Sequence, residues 1–202
     1  MQRGENLDLS TPFYAFLHSQ FGEDGIGSLS SDVSGFQQLR DSAVCVLDPT
    51  EIGSQSILRF NYHLNFMAPR LKGYEPELRL NFNWYDGFRN SKKVSTASIY
   101  IDWACLLWNL GALESQRGAK IDRSTEEGIR NASKHFQQAA GIFEHIRKNL
   151  APYFQGTVVS GLTEEGLHMS IQLMLAQAQL CFYEKVDHID DKYNADLDDF
   201  FY

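Results

Sequence analysis

The sequence predicts a mainly α fold, a tetratricopeptide-like scaffold of packed helical hairpins interrupted by one small β-hairpin. Three observations carry this. Apolar residues recur every three or four positions through most of the chain, while one short stretch near the middle alternates strictly between apolar and polar. The 202 residues, 43% hydrophobic and 22% charged, are enough to build one large domain with its own core.

Taken in order, Ser10, Thr11 and Pro12 form a helix-start signal, and Phe13, Phe16, Leu17 and Phe21 follow on one stripe until Gly22 and Gly25 break it. A second helix is expected from about Ser31 to Leu47, with Phe36, Leu39, Ala43 and Val46 at helical spacing and Asp48-Pro49 as its stop. A third starts near Thr50 and carries Ile57, Leu58, Tyr62 and Phe66 as far as Pro69. Leu78, Leu80, Phe82 and Trp84 then alternate with polar residues, the pattern of a strand with one buried face, and Gly87 to Lys93 reads as a connecting loop.

Helix resumes near Ser98. The stretch IYIDWACLLWNLGALESQRG is apolar on more than one face, so it is expected to lie between neighbours. Ser124-Thr125-Glu126-Glu127 predicts a capping box, with Ser124 as the cap and Glu127 reaching back to it. Ile129, Ala132, Phe136, Ala139, Ala140, Phe143, Ile146 and Leu150 make the helix behind it strongly amphipathic. After a loop marked by Pro152, Gly156 and Gly161, Thr163 can cap a last helix with the face Leu167, Ile171, Met174, Leu175, Ala178, Cys181 and Phe182. Leu110-Gly111, followed by Ala132, Phe136 and Ala139, has the small-and-large spacing of tetratricopeptide-type hairpins, without the regular length of a repeat array.

Composition and motifs exclude more than they assign. The net charge of −8 disfavours nucleic acid as a partner, because phosphate contacts need clustered cations. Much of the excess sits from Asp187 onward. No apolar run approaches the roughly 18–20 residues of a membrane span, and the start MQRGENLDLS lacks the apolar core of a signal peptide, so a cytoplasmic location is expected.

Cys45, Cys105 and Cys181 read as free, buried thiols, and none is followed at the right spacing by the Arg that a cysteine phosphatase needs. The six histidines are dispersed, so no metal or cofactor is expected. Gly25-Ile26-Gly27 reads as a turn, and P-loop and nucleophile-elbow motifs are absent. Glu126/Glu127 and Glu164/Glu165 fall in first helical turns, where the helix dipole accounts for them. Nothing converges on a catalytic constellation.

Four segments say more. FNWYDGF at Phe82 to Phe88, ACLLWNLGALESQRG at Ala104 to Gly118, EEGIRNASKHFQQAAGIFEHI at Glu126 to Ile146 and MLAQAQ at Met174 to Gln179 occur in the order and spacing of the Bro domain family, of the Alix, rhophilin and His-domain protein tyrosine phosphatase type. The resemblance is strongest from Phe82 to Lys185. It implies a curved helical scaffold with a small sheet, working as a non-enzymatic adaptor that binds ESCRT-III subunits (charged multivesicular body proteins) in endosomal multivesicular-body sorting. Association with endosomal membranes would then be peripheral, through those partners.

In Alix-type members a concave face takes up the C-terminal amphipathic helix of the ESCRT-III subunit, a helix-in-groove mode. The register of MLAQAQ puts the family's apolar contact on Phe182 and its basic contact on Lys185, with Glu126, Arg130 and Lys134 as polar partners on the preceding helix. The competing reading makes Phe182 a core residue and the charges a solvated face. Two further groove positions fall on Ala195 and Asp199, where a bulky aliphatic is expected, and the N-terminal strand that completes the family's sheet has no evident counterpart before Asn6.

The resemblance thus predicts a partial, truncated Bro domain over residues 1–186 and an acidic divergent tail over 187–202. Half a solenoid leaves an apolar helix face uncovered, so the chain is expected to be unstable alone, to pair with another chain, or to be a non-functional fragment of a longer protein. A rhophilin-like small-GTPase signalling scaffold is the alternative function.

Overall fold

The computed structural model describes residues 1–22, 29–46, 48–89 and 91–198, with side chains as far as Val186. Gly25-Ile26-Gly27, Leu47, Asp199 and the side chains of the acidic tail, Ala195 included, lie outside the described residues.

Helices α1 (Ser10–Phe21), α2 (Ser30–Val44) and α3 (Glu51–Leu71) form the first layer. Thr50 caps α3 by accepting from the Gly53 amide at 3.1 Å. The helix runs through Pro69, past its expected end, to Leu71. Pro69 and Asn65, whose carbonyl loses its partner there, both face solvent, where water can take the missing bond.

The inward face of α3 is Ile57, Phe60, Leu64, Ala68 and Leu71, whereas Leu58, Tyr62 and Phe66 of the expected stripe are exposed. Two apolar stripes compete on this helix, and packing against α2 selects the one containing Phe60, which meets Phe36 at 5.0 Å between ring centroids. On α1, likewise, only Phe13 is buried and Phe21 projects into solvent.

The expected strand begins late. Pro76 starts a single helical turn, α4 (Glu75–Leu78), and Arg79 closes it in the left-handed region at φ 50°, so extended backbone starts only at β2 (Phe82–Tyr85). Phe82 and Trp84 point inward from β2, which pairs antiparallel with β3 (Lys93–Thr96), setting Trp84 opposite Val94.

The sheet has three strands rather than a hairpin alone. A two-residue N-terminal strand, β1 (Arg3–Gly4), pairs antiparallel with β2, Gly4 opposite Trp84, contrary to the expectation that nothing before Asn6 would join it. Two residues are too few for a periodic signal. The strand forms because tertiary groups complete it: Asn109 accepts from the Gln2 amide and donates to the Gln2 carbonyl, both at 2.8 Å, acting as a surrogate peptide. At Gly4 a Cβ would lie 3.0 Å from both the Trp84 ring and Val44, so glycine permits the approach.

Helix α5 (Ile99–Lys120) is the central rod, buried nearly all round from Ile99 to Leu113, as its apolar faces predict. It packs against α3 and α6 (Glu126–His145), and α6 against α7 (Glu164–Asp198), giving the hairpin series. The small-and-large packing is real, though its partners differ from sequence order. A Cβ at Gly111 would lie 2.6 Å from the Phe143 ring, and one at Gly118 3.1 Å from the Phe136 ring. A π-helical turn, Ile146–Leu150, and a 3₁₀ turn end α6, and a second 3₁₀ turn, Ser160–Leu162, precedes α7. Cys105 and Cys181 are buried as expected. Cys45, at the end of α2, is exposed, which corrects that reading.

Candidate surface on helices α6 and α7

The α6 side of the surface is set by its cap. Thr125, not Ser124, is the N-cap, accepting from the Gly128 amide at 3.1 Å. Ser124 instead donates to Asp122 at 2.9 Å within the preceding turn. Glycine is required at 128, since a Cβ there would meet the Asp122 carbonyl at 2.0 Å. From this start Ile129, Ala132 and Phe136 turn inward, while Glu126, Arg130 and Lys134 lie exposed one turn apart. Arg130 reaches Glu126 at 3.8 Å, and Lys134 projects free of any ion pair among the described residues.

Thr163 caps α7 by accepting from the Gly166 amide at 3.0 Å. The buried face of α7 is Leu167, Ile171, Met174, Ala178 and Cys181. Leu175 and Phe182, assigned by spacing to the same stripe, sit to one side of it and are exposed, Phe182 at 52%. Burying Leu167 to Cys181 against α6 uses up the inward arc of the helix, so residues one position later rotate about 100° out of the contact. Phe182 is therefore a surface aromatic and not a core residue. Lys185, one turn on, is half-buried.

Two polar contacts hold α7 against α6 and its preceding loop close to this aromatic. Buried Ser133 of α6 donates to the Ala178 carbonyl at 3.4 Å, and Arg123 pairs with Glu184 at 3.2 Å. These partners are far apart in sequence and carry no local signal. Among the described residues no hydrogen bond or ion pair links Phe182 or Lys185 to Glu126, Arg130 or Lys134. The two sets occupy adjacent helices.

Two further apolar features involve residues that the sequence reading assigned to no site. A second exposed row, Met169, Leu173, Ala176, Leu180 and Tyr183, runs along α7 on the side away from α6. A cavity of about 1010 Å³ lies between α1, α2 and the C-terminal half of α3, walled by Phe13, Phe36, Leu39, Met67 and Leu71. Among the described residues no group of three His, Cys, Asp or Glu side chains could hold a metal, and no helix is long and apolar enough to cross a membrane.

Similarity to known proteins fits this arrangement. The chain is 29% identical over 192 residues to ALG-2 interacting protein X of Dictyostelium discoideum, covering 94% of this chain and 24% of that protein. It is 33% identical over 184 residues to human Rhophilin-1, covering 91% of this chain and 26% of the other. It thus spans about a quarter of the length of these relatives. The solved complex of the ALIX BRO1 domain with CHMP4C superimposes with a TM-score of 0.82 at 25% identity, over 94% of this chain and 56% of that one. In this family the domain is generally a non-catalytic scaffold. With the family match running over residues 1–197, on a helical scaffold carrying a three-stranded sheet, the chain belongs to the BRO1-like domain family.

Proposed function

We propose that this chain is a non-enzymatic adaptor module that takes up the C-terminal amphipathic helix of an ESCRT-III subunit in endosomal multivesicular-body sorting. Phe182 is the apolar anchor and Lys185 a basic contact beside it. Glu126, Arg130 and Lys134 are the polar partners that fix register. The reading places the protein in the cytoplasm, recruited to endosomes through its partners, with the binding module within residues 1–186.

The observation that carries it is the exposure of Phe182 on a helix otherwise anchored by its neighbours. A large aromatic held half in solvent on a rigid element suits a hot spot for a partner's apolar face. The ALIX BRO1 domain, similar in fold, has been solved with CHMP4C bound.

Fluorescence anisotropy with a labelled ESCRT-III C-terminal helix tests the proposal. Losing an anchor of about 2–4 kcal/mol weakens binding roughly 30-fold to several hundredfold. Phe182→Asp should show that loss, while Tyr62→Asp, on an exposed α3 position, should bind like the native chain. Equal binding by the native chain and Phe182→Asp removes the anchor.

The 33% identity to Rhophilin-1 favours one second reading, a small-GTPase signalling scaffold. In that case the native chain would show no measurable affinity for the ESCRT-III helix.

A further inference from the structure

The cavity between α1, α2 and α3 has the dimensions of a helix-binding groove. Helix α1 packs against α2 and α4, and α2 packs along α3, so α2 is the floor and α1 and α3 are walls that stand apart. Phe13, Phe16 and Leu17 line one wall and Met67 and Leu71 the other. Tyr74, just past α3, meets Phe16 edge-on at 5.1 Å between ring centroids, so the chain itself sets how far apart the walls stand. The lining residues of α2 run from Ser31 to Ser42, about 16 Å at the rise of an α-helix. Spread over that length, 1010 Å³ makes a channel about 9 Å across, wider than one acyl chain and close to the roughly 10–12 Å of a helix with its side chains. Helices α5 and α6 stand between this groove and α7.

The floor carries a glycine that the chain's own packing does not explain. Every other glycine inside a described α-helix, Gly141 excepted, has a neighbour within 3.1 Å of where a Cβ would lie. At Gly35 and Gly141 a Cβ would meet nothing within 4 Å, and neither residue is in the left-handed region. Glycine in a helix interior destabilises the helix relative to alanine. A bare floor at Gly35 is accounted for by an element that docks closely above it. Gly141 is the parallel case, exposed on α6 two turns beyond Lys134 and beside the surface already proposed to take up a helix.

We propose that the α1–α2–α3 groove takes up a second amphipathic helix from a partner protein, about three turns long and laid over Gly35. Its apolar residues, at i, i+3 or i+4 and i+7, would face Phe16, Leu39 and Met67. Charge fixes its register. Asp32 and Arg70 are exposed at the same end of the groove, where α2 begins and α3 ends, and neither forms an ion pair among the described residues. Arg70 donates to the Phe66 carbonyl of its own helix. The two charges select a helix with a cation on one flank of its apolar stripe and an anion on the other. The site is separate from Phe182 and stands whatever that surface binds.

Phage display of a helical peptide library on the full chain, followed by fluorescence anisotropy of the enriched peptides, tests this. Peptides for this site should carry the i, i+4, i+7 apolar pattern with opposite charges on its flanks. Gly35→Leu, which fills the floor without a clash in the free chain, should weaken their binding at least tenfold, and Phe182→Asp should leave it unchanged. Gly35→Ala should raise the Tm of the free chain by about 2–4 °C, and a fall would show that the glycine serves the chain's own packing and overturn the proposal. In a Cys45→Ser background, Gly35→Cys should react with a maleimide in the free chain and be shielded by the peptide. No enriched peptide, or only peptides that bind Gly35→Leu as tightly as the native chain, overturns the proposal, as does a thiol introduced by Gly35→Cys that is already covered in the free chain. Binding of cis-parinaric acid in place of any peptide would make the groove an acyl-chain site. A dimer abolished by Gly35→Leu would assign it to a second copy, and either result overturns the partner helix.

Discussion

Arg40 of α2 and Asp102 of α5 form a fully buried, two-pronged ion pair: Nε donates to Oδ2 at 3.1 Å and Nη2 to Oδ1 at 2.8 Å. The pair is a junction for four elements. Trp84 Nε1 of β2 donates to the same carboxylate at 2.9 Å, and Arg40 Nη1 donates to the Glu5 carbonyl just beyond β1 at 3.3 Å. Burial by itself would lower the Arg40 pKa, but the charge and hydrogen bonds of Asp102 outweigh it, and the net shift is upward.

Breaking this pair from one side strands a charge in the core. Arg40→Met or Asp102→Asn alone should lower stability by about 3–5 kcal/mol. The double variant should cost clearly less than the sum of the two, because the carboxamide introduced by Asp102→Asn would still accept from Trp84 and no unpaired charge would remain. Urea denaturation of all four proteins closes the cycle, and strict additivity would show the two groups to be uncoupled.

The N-terminal strand depends on one side chain of the central helix. Asn109→Leu removes both bonds to the Gln2 main chain and leaves a buried amide and carbonyl unpaired, at a cost of about 1–3 kcal/mol. Hydrogen exchange should accelerate at the amides of residues 2–5 well before those of α5. Uniform acceleration along the chain would contradict a local clamp.

Close packing of α5 on α6 makes Gly111 intolerant of even one methyl group. Gly111→Ala brings a Cβ to 2.6 Å from the Phe143 ring, and the resulting separation of the helices should cost about 1–3 kcal/mol despite the better helix propensity of alanine. Phe143→Leu in the same chain should restore part of that loss. A thermal melt at or above native for Gly111→Ala alone would mean that the ring moves aside freely.

Acid should loosen the loop after β2 through Asp86. Its burial tends to raise the pKa, but bonds from the Ser160 side chain and from the amides of Ser160, at 2.6 Å, Phe88 and Arg89 outweigh that and hold it below the ordinary 3.8. A carboxyl with a lowered folded pKa contributes stability that is complete above its ordinary value and is lost as pH falls through the depressed one. Asp86→Asn should therefore be less stable at neutral pH by about 1–3 kcal/mol and should flatten the fall in urea midpoint below pH 4. An unchanged acid slope would assign that fall to other carboxylates.

Local pattern was enough for whatever a single helix expresses by itself. The positions of the six long helices, the Thr163 cap, the small-and-large character of the α5–α6 contact, the inward alternation of Phe82 and Trp84 and the family resemblance were all legible, because periodicity, capping and turn chemistry act within a few residues; the single turn of α4 was not, and was read as the start of the strand. The arrangement at Ser124-Thr125 was legible only to within one residue, since two adjacent hydroxyls compete for the same amide. On α3 the spacing singled out Ile57, Leu58, Tyr62 and Phe66, of which only Ile57 is buried, because a second apolar stripe competes on that helix and packing against α2 decides between them.

The amino-acid sequence by itself determined that this chain is a helical scaffold of the Bro type, since apolar periodicity and four motifs in register are properties of the chain alone. Which apolar residues are core and which are surface was decided only when the helices packed. Burial of Leu167, Ile171, Met174, Ala178 and Cys181 against α6 turned Phe182 to one flank and the Ala176 row to the far side of α7. The N-terminal strand and the Arg40–Asp102 pair were likewise invisible beforehand. Each is a contact between segments distant in sequence, and its energy exists only once both partners have been brought together in a dry interior.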